Sequence, residues 1–207
     1  MKYKNLTVSQ KGLSLIESAM VLAISAVIVS GVLYYYNQAQ ENRKLEEGIK
    51  QIQTIAATVN KLYTNSTARL QNGDDAATNK VVEAISAVSG IPTKKLSNSE
   101  AKVFTTPSGQ WVQFWVESGS PINTYQLETQ VQSVSSCISY ATLNMGTIMA
   151  GKTKILIDGR EYGNSNSNNS SNSTNFSLSP SIASGACEDA GKNKNGNNIK
   201  VRYTLRY

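Results

Sequence analysis

The sequence predicts an α+β protein in which a long N-terminal helix packs on an antiparallel β-sheet. Three observations lead to this prediction. A long apolar run, residues 13–36, lies near the N-terminus, and a helical stripe of apolar residues follows it. The rest of the chain alternates short strand patterns with turn signals and helical patterns. The last segment, residues 198–207, alternates apolar and polar side chains, which is typical of an antiparallel strand with one buried face.

The composition fits one membrane segment plus one globular domain. The chain has 207 residues, 40% of them hydrophobic, and a domain of about 150 residues can bury a real core. The sequence contains no His, which excludes Ser/His/Asp and Cys/His catalysis and the usual zinc sites. Its Lys and Arg residues are dispersed, whereas a nucleic-acid-binding protein needs a clustered basic face.

The first twelve residues, MKYKNLTVSQKG, contain Lys2, Lys4 and Lys11 and no acidic residue. Because basic residues beside an apolar segment stay on the cytoplasmic side, we expect the bulk of the chain to lie outside the cytoplasm. An ordinary secretory signal has a shorter apolar core that ends in a cleavage site of small residues. The simplest interpretation is therefore a signal anchor, which is a plain membrane tether.

The apolar run from Leu13 to Tyr36 contains one carboxylate, Glu17. The run is 24 residues long, and about 20 helical residues cross the hydrocarbon core of a bilayer. An ionised side chain in hydrocarbon costs on the order of a few kcal/mol, so Glu17 predicts a functional role that a plain tether does not explain. The alternative is a protonated or hydrated Glu17 close to the cytoplasmic interface.

The residues around Glu17 resemble the processing site of type IV prepilins. A short basic leader ends at Gly12, and LSLIESAMVL follows it with Glu17 at the fifth position. In that family a dedicated aspartyl peptidase cuts on the cytoplasmic side after the Gly, which implies cleavage between Gly12 and Leu13. The leader length, the Leu that follows it and the segment SCISYATLNMGT, residues 136–147, are most similar to the bundle-forming pilins of the type IVb class.

The resemblance implies the type IV pilin fold and a division of the chain into four parts. Residues 1–12 would be the leader peptide, and residues 13–36 a hydrophobic transmembrane and assembly helix. Residues 37–65 would form the amphipathic second half of the same spine helix. Residues 66–207 would form a globular α+β head with a disulfide-bounded D-region, the variable edge that meets neighbouring subunits and solvent.

The family also implies how the mature chain assembles. Cleavage would create an amine on Leu13, methylated in this family, that pairs with Glu17 of an adjacent subunit in the filament core. Such a pair offsets the cost of burying either charge alone, and it favours one axial register for each subunit. The resemblance thus implies a self-polymerising major structural subunit that is not an enzyme and needs no cofactor.

The partners and the location follow from the same resemblance. The precursor would reside in the inner membrane, with its N-terminus cytoplasmic and its head periplasmic, before it enters an extracellular fibre. Its partners would be other copies of itself, the prepilin peptidase and the pilus assembly machinery. A fibre used in adherence and aggregation would also meet a host or neighbouring bacterial cell surface. Nucleic acid is not expected as a partner.

The segment after the apolar run predicts a continuation of the first helix to about Tyr63. Its apolar residues recur at spacings of three and four, which place them on one face of a helix. They are Leu45, Ile49, Ile52, Ala56, Val59 and Leu62.

A second helix is expected between residues 74 and 92. An Asp74 or Asp75 cap starts it, and Gly90 followed by Pro92 ends it. The face expected to be buried consists of Ala77, Val81, Ile85 and Val88.

The remaining elements are mostly strands. Residues 101–118 predict a hairpin that turns at Pro107, Ser108 and Gly109, and residues 122–129 predict a third strand. Residues 131–146 predict a helix, and residues 153–163 a strand with a turn at Asp158 and Gly159.

Cys137 and Cys187 are the only cysteines of the chain. Because the exported side is oxidising, a single disulfide is the natural interpretation. It would close a loop of about 51 residues and stabilise the fold by about 4 kcal/mol in the chain-entropy model. Two free thiols or a redox pair are less favoured, because neither a C-x-x-C motif nor an activating basic neighbour is present.

Residues 163–175, GNSNSNNSSNSTN, contain no apolar side chain and cannot contribute to a core. We expect a surface loop there. The functional alternative is a polar patch displayed on the outside of a fibre.

Other functions remain as alternatives at this point. A minor pilin, a secretion-system pseudopilin or a conjugative thin-pilus pilin would share the leader and Glu17. A membrane-tethered periplasmic enzyme would need an active site, and the sequence offers only scattered acids. These acids are Asp158, Glu161, Glu188 and Asp189.

Overall fold

The computed structural model of the chain describes residues 14–67, 69–96, 99–117, 122–162, 176–195 and 197–207. These residues form helices and strands in an order that is typical of an α+β protein. In chain order they are α1 (Leu15–Tyr63), α2 (Asp75–Ser89), β1 (Thr93–Lys95), β2 (Lys102–Thr105), β3 (Trp111–Trp115), β4 (Thr124–Val131), α3 (Val134–Ala141), β5 (Lys154–Ile157), β6 (Arg160–Tyr162), α4 (Pro180–Asn193) and β7 (Ile199–Arg206).

Helix α1 begins at Leu15 and continues without a break for 49 residues to Tyr63. Its residues belong to two compact units of the chain, residues 1–43 and residues 44–207. In the first unit, the described residues from Leu15 onward are helical. The second unit contains the rest of α1 and the remaining helices and strands, and we call it the head.

The seven strands of the head form one antiparallel sheet in the order β1-β2-β3-β4-β7-β5-β6. Strands β4 and β7 lie in the middle and pair along eight residues, from Thr124 opposite Arg206 to Val131 opposite Ile199. The edge strands β1 and β6 have three residues each. Short, charged edge strands limit unwanted pairing with other chains.

The core of the head lies on one face of this sheet. Strand β7 alternates as the sequence predicts, with Ile199, Val201, Tyr203 and Leu205 buried. The predicted stripe of α1 is confirmed: Ile52, Ala56 and Val59 are fully buried in the same core, joined by Ile55, while Leu45, Ile49 and Leu62 pack at its margin. Each fully buried large apolar side chain contributes about 1.5–3 kcal/mol.

Two tyrosines join the sheet to α3 within this core. The Tyr203 hydroxyl donates to the carbonyl oxygen of Tyr140 at 2.7 Å. Burial raises the pKa of Tyr140 to about 12 and raises the pKa of Tyr203 well above its ordinary value. Since desolvation disfavours the phenolate, both side chains stay neutral over the whole physiological range.

Helix α2 has the predicted ends but a different buried face. Asp74 caps it by accepting from the Ala77 amide at 2.8 Å, and Gly90 ends it in the left-handed conformation, with φ 73°. The buried residues are Val82 and Ile85, whereas Ala77 and Val88 of the predicted face are exposed. The prediction of that face is confirmed for Ile85 and for Val81, which packs at the margin of the core, and was wrong for Ala77 and Val88. The reason is that α2 packs through a stripe that is rotated by about one residue.

The segment from residue 131 to residue 163 differs in detail from the prediction. Strand β4 continues to Val131, so the helix that follows it is shorter than expected, and Ser133 caps it. The single strand expected over residues 153–163 is a hairpin of β5 and β6. Its turn at Asp158 and Gly159 is confirmed, with φ 48° and 77°.

Helix α4 and strand β1 were not predicted. Helix α4 begins with the cap residue Ser179, whose hydroxyl accepts from the Ile182 amide, and Pro180 occupies its first position. Both are strong helix-start signals. Its many small residues give a weak apolar pattern, which is why the helix was missed. The expected polar loop at residues 163–175 lies outside the described residues.

Candidate functional site

The first half of α1 exposes apolar side chains around its whole circumference. The helix is long and apolar enough to cross a membrane, with a mean hydropathy of 2.2 in its most apolar stretch, and no residue of that stretch is buried. The exposed large residues are Leu15, Ile16, Met20, Val21, Leu22, Ile24, Val27, Ile28, Val29, Val32, Leu33 and Tyr34 to Tyr36. An apolar surface of this size marks a membrane or protein interface.

Three serine hydroxyl groups within this surface are satisfied inside the helix itself. Ser18 donates to the carbonyl oxygen of Leu15 at 2.9 Å. Ser25 and Ser30 donate to carbonyl oxygens four residues earlier, each at 2.7 Å. A hydroxyl that is bonded to its own helix can enter hydrocarbon without leaving an unpaired donor. These serines therefore do not prevent burial of the surface.

Glu17 is the exception in this surface, and it lies in the first turn of α1. The amide of Ser14 donates to Glu17 Oε2 at 2.9 Å, and the amide of Glu17 donates to Ser14 Oγ at 3.3 Å. The two residues form a capping box, in which each side chain accepts a backbone amide of the other residue. The charge of Glu17 therefore lies at the end of the helix where the macrodipole favours an anion.

The residues predicted to form the processing site lie at or beyond the edge of the described chain. Gly12 and Leu13 fall outside the described residues, so their predicted cleavage and the pairing of Leu13 with Glu17 stay predictions. Ser14 was not singled out from the sequence. Its signal was present as S-L-I-E, because the spacing S-x-x-E before an apolar run is the signature of a capping box.

Cys137 of α3 and Cys187 of α4 form a disulfide. Both side chains are fully buried, and their Cα atoms are 5.9 Å apart. The bridge closes a loop with a sequence separation of 50 residues. It ties the two helices that pack beside strands β5 and β7, so it stabilises the part of the head in which the expected polar loop is inserted.

The acidic residues that an enzyme would need do not converge. Asp158 accepts from Asn197, and Glu161 pairs with Lys154 at 3.2 Å. Glu188 and Asp189 bond within α4 or lie on its surface. Among the described residues, no group of three or more Cys, Asp or Glu side chains could hold a metal ion.

The outer face of the sheet carries a charge cluster that the sequence analysis did not identify. Glu128 of β4 is 3% exposed, and it pairs with Arg202 at 2.7 Å and with Lys200 at 3.3 Å. Arg202 and Lys200 lie over the rings of Trp115 and Trp111. The cluster joins β3, β4 and β7 across the middle of the sheet. Its charges are paired with one another, which is typical of a structural role.

Comparison with known proteins gives consistent matches over most of the chain. The family model described as Bundlin matches residues 37–206. A protein of Escherichia coli O127:H6, named as the major structural subunit of bundle-forming pilus, is 31% identical over 198 residues, 95% of each chain. A protein of the same name from Escherichia coli O111:H- is 30% identical over 197 residues, again 95% of each chain.

A solved structure is also similar to this chain. It is the crystal structure of a type IVb pilin from Salmonella typhi, with 16% sequence identity and a TM-score of 0.49. The match covers 77% of this chain and 97% of that one.

Proposed function

This chain belongs to the bundlin family of pilins, and we propose that it is the major structural subunit of a bacterial type IVb pilus. The family consists of structural subunits and is not a family of enzymes. Two relatives that match 95% of the chain are named as major subunits of bundle-forming pilus, which supports the same role here. Such a subunit polymerises with copies of itself into an extracellular fibre.

The single observation that carries this proposal is the exposed first half of α1. Its apolar side chains are uncovered on every side, with Leu15 at 87% and Tyr35 at 75% exposure. Water disfavours such a surface by about 25 cal/mol for each Å² of apolar area. The helix therefore needs a bilayer before assembly and the helices of other subunits afterwards.

The proposal includes processing of a membrane-anchored precursor. Residues 1–12 act as a cytoplasmic leader, and prepilin peptidase cuts between Gly12 and Leu13, after which the amine of Leu13 is methylated. Residues 13–36 hold the precursor in the inner membrane until the assembly machinery adds it to the fibre. Residues 37–65 join this segment to residues 66–207, which are periplasmic before assembly and exposed on the fibre afterwards.

The proposed assembly contact joins the amine of Leu13 in one subunit to Glu17 of an adjacent one. Glu17 lies within an apolar surface. If other helices cover that surface, the charge of Glu17 is buried without a counterion. A cationic partner removes this cost, because breaking a buried pair loses roughly 3–5 kcal/mol. In the fibre the contact also fixes the axial register between subunits. We propose adherence and aggregation as the uses of the fibre.

The experiment replaces Glu17 by Gln, which keeps the size of the side chain and removes its charge. We expect normal membrane insertion, a folded disulfide-bonded head and few or no fibres, because the amine would lack its counterion. The measurement is the yield of sheared fibres divided by total membrane pilin. Glu41→Gln is the matched control, since Glu41 is an exposed carboxylate of the same helix beyond the apolar run.

A fibre yield from Glu17→Gln cells that equals the yield from Glu41→Gln cells would contradict the proposed contact. In that case Glu17 would only tolerate a hydrated position near the cytoplasmic interface.

A further inference from the structure

The start of α1 holds the carboxylate of Glu17 in one direction. Oε2 accepts the amide of Ser14 at 2.9 Å, so the side chain points back along the helix toward its N-terminus. The amide of Glu17 donates to Ser14 Oγ at 3.3 Å, which closes the reciprocal pair. The pair satisfies two backbone donors that a helix leaves without acceptors at its first turn.

The proposed cleavage removes neither residue of this pair. A cut between Gly12 and Leu13 leaves both in the mature chain, with Ser14 next to the residue that carries the new amine and Glu17 one helical turn further on. Consecutive Cα atoms are about 3.8 Å apart, so the carboxylate is held at the end of the helix where that amine forms. Within the part of the chain that the structure describes, only Oε2 of this carboxylate accepts a hydrogen bond. No described residue donates to Oε1, which can therefore accept a hydrogen bond from the amine.

We propose that Ser14 is the positioning residue of the assembly pair. Its backbone amide keeps one oxygen of Glu17 on its own chain, and its hydroxyl holds the turn by accepting the Glu17 amide. The other oxygen is then presented to an amine at the N-terminal end of a helix. This inference rests on the proposed function, because the amine exists only after cleavage. A carboxylate that is already fixed loses less side-chain freedom when it pairs with the amine.

The capping box also protects Glu17 before assembly. A carboxylate that enters an apolar environment without hydrogen bonds is strongly disfavoured. The Ser14 amide supplies one hydrogen bond from within the same chain, so the precursor does not need a second subunit to hold Glu17 near the membrane interface. Ser14 therefore provides a hydrogen bond to Glu17 both at the membrane interface and in the fibre.

The test separates the cap from the charge. Ser14→Ala removes the hydroxyl that accepts the Glu17 amide and keeps both the charge of Glu17 and the backbone amide that donates to Oε2, so it opens one half of the reciprocal pair. Ser14→Thr keeps a hydroxyl at the same place. Glu17→Gln keeps a side chain that suits this position of a capping box and removes the charge. Thr54→Ala is the matched control, because it removes an exposed hydroxyl of the same helix, beyond the apolar run, that donates to the carbonyl oxygen of Lys50.

The readout is the ratio of sheared fibres to processed membrane pilin, with processing measured by intact mass. We expect Ser14→Ala to lower the ratio by roughly five-fold, which is the equilibrium change that the loss of about 1 kcal/mol from an N-cap produces. Ser14→Thr and Thr54→Ala should keep the ratio of the unmodified chain. Because only processed pilin is counted, slower cleavage of one variant does not imitate a loss of assembly.

Two results would overturn the role of Ser14. One is an unchanged ratio for Ser14→Ala while Glu17→Gln makes no fibres, which leaves the assembly pair intact and removes Ser14 from it. The other is a parallel loss of membrane pilin and fibres, which shows a cap that only stabilises the helix. If Glu17→Gln itself assembled normally, the assembly pair of the proposed function would fail instead.

Discussion

The two halves of α1 place similar apolar residues in opposite surroundings. In the first half, from Leu15 to Tyr36, the large side chains are exposed on every side of the helix. In the second half, Ile52, Ile55 and Val59 are fully buried in the core of the head. The sequence explains the difference, because only the second half has a stripe at helical spacing. An apolar stripe indicates that the helix is buried on one side by its own chain. An apolar surface around the whole helix indicates that it is buried by a membrane or by other subunits.

We expect the stability of the head to come from its own core and its own disulfide, and not from the first half of α1. Removal of the disulfide should have the largest effect. Cys137→Ser and Cys187→Ser should each lower the free energy of unfolding of the head by about 4 kcal/mol, because the unfolded chain regains the freedom of a long loop. The measurement is denaturant unfolding, together with the amount of pilin on the cell surface.

The two single variants should behave alike, and the double variant should be no worse than either. Free thiols at both positions in exported protein, found by non-reducing peptide mapping, would show that the bridge does not hold the head.

The buried carboxylate of the sheet gives the next largest effect. Glu128→Gln leaves Arg202 and Lys200 without their counterion on the outer face, and we expect a loss of up to about 3 kcal/mol in the free energy of unfolding. Glu100→Gln is the matched control, since its pair with Lys95 is exposed and an exposed pair contributes little to stability. Equal effects of the two substitutions would contradict the structural role of the Glu128 cluster.

Two glycines on the same helix sharpen the comparison. A Cβ atom added at Gly48 would lie 2.1 Å from the hydroxyl oxygen of Tyr140, whereas one added at Gly31 meets nothing within 4 Å. Gly48→Ala should therefore destabilise the head by about 1–3 kcal/mol through overpacking. Gly31→Ala should leave the stability of the head unchanged in thermal unfolding.

Removal of the Tyr140 hydroxyl provides the control for the effect of Gly48→Ala. The next atom of the ring lies at an ordinary contact distance, 3.5 Å from the added Cβ. Gly48→Ala combined with Tyr140→Phe should therefore recover part of the stability that Gly48→Ala loses. No recovery would mean that the helix and α3 do not approach each other at Gly48 as described.

Much of this fold could be predicted from local patterns in the sequence. The alternation of β7 and the stripe of α1 each follow from one period and one buried face. The buried face of α2 could not be predicted, because Val81, Val82 and Ile85 allow two stripes and only packing selects between them. Helix α4 was missed because its small residues Ala183, Ala186 and Ala190 bury well without a strong apolar pattern.

Only part of the candidate site could be predicted from local patterns in the sequence. Glu17 stood out because a charge in an apolar run is costly, whereas Ser14 looked like an ordinary small residue. Its role depends on a hydrogen bond to Glu17 across the first turn, and the S-x-x-E spacing was the one signal for it. The Glu128 cluster depends on strand register, since β4 and β7 are 74 residues apart in the chain at the bonded pair, and no local pattern records that register.

The most direct test of the account is the intact mass and N-terminal residue of the protein that dominates fibres sheared from the cell surface. If the first half of α1 is an assembly surface released by processing, this chain should be the abundant component, begin at a methylated Leu13 and retain the disulfide between Cys137 and Cys187. Assembled protein that keeps residues 1–12, or fibres in which this chain is absent or scarce, would contradict the account.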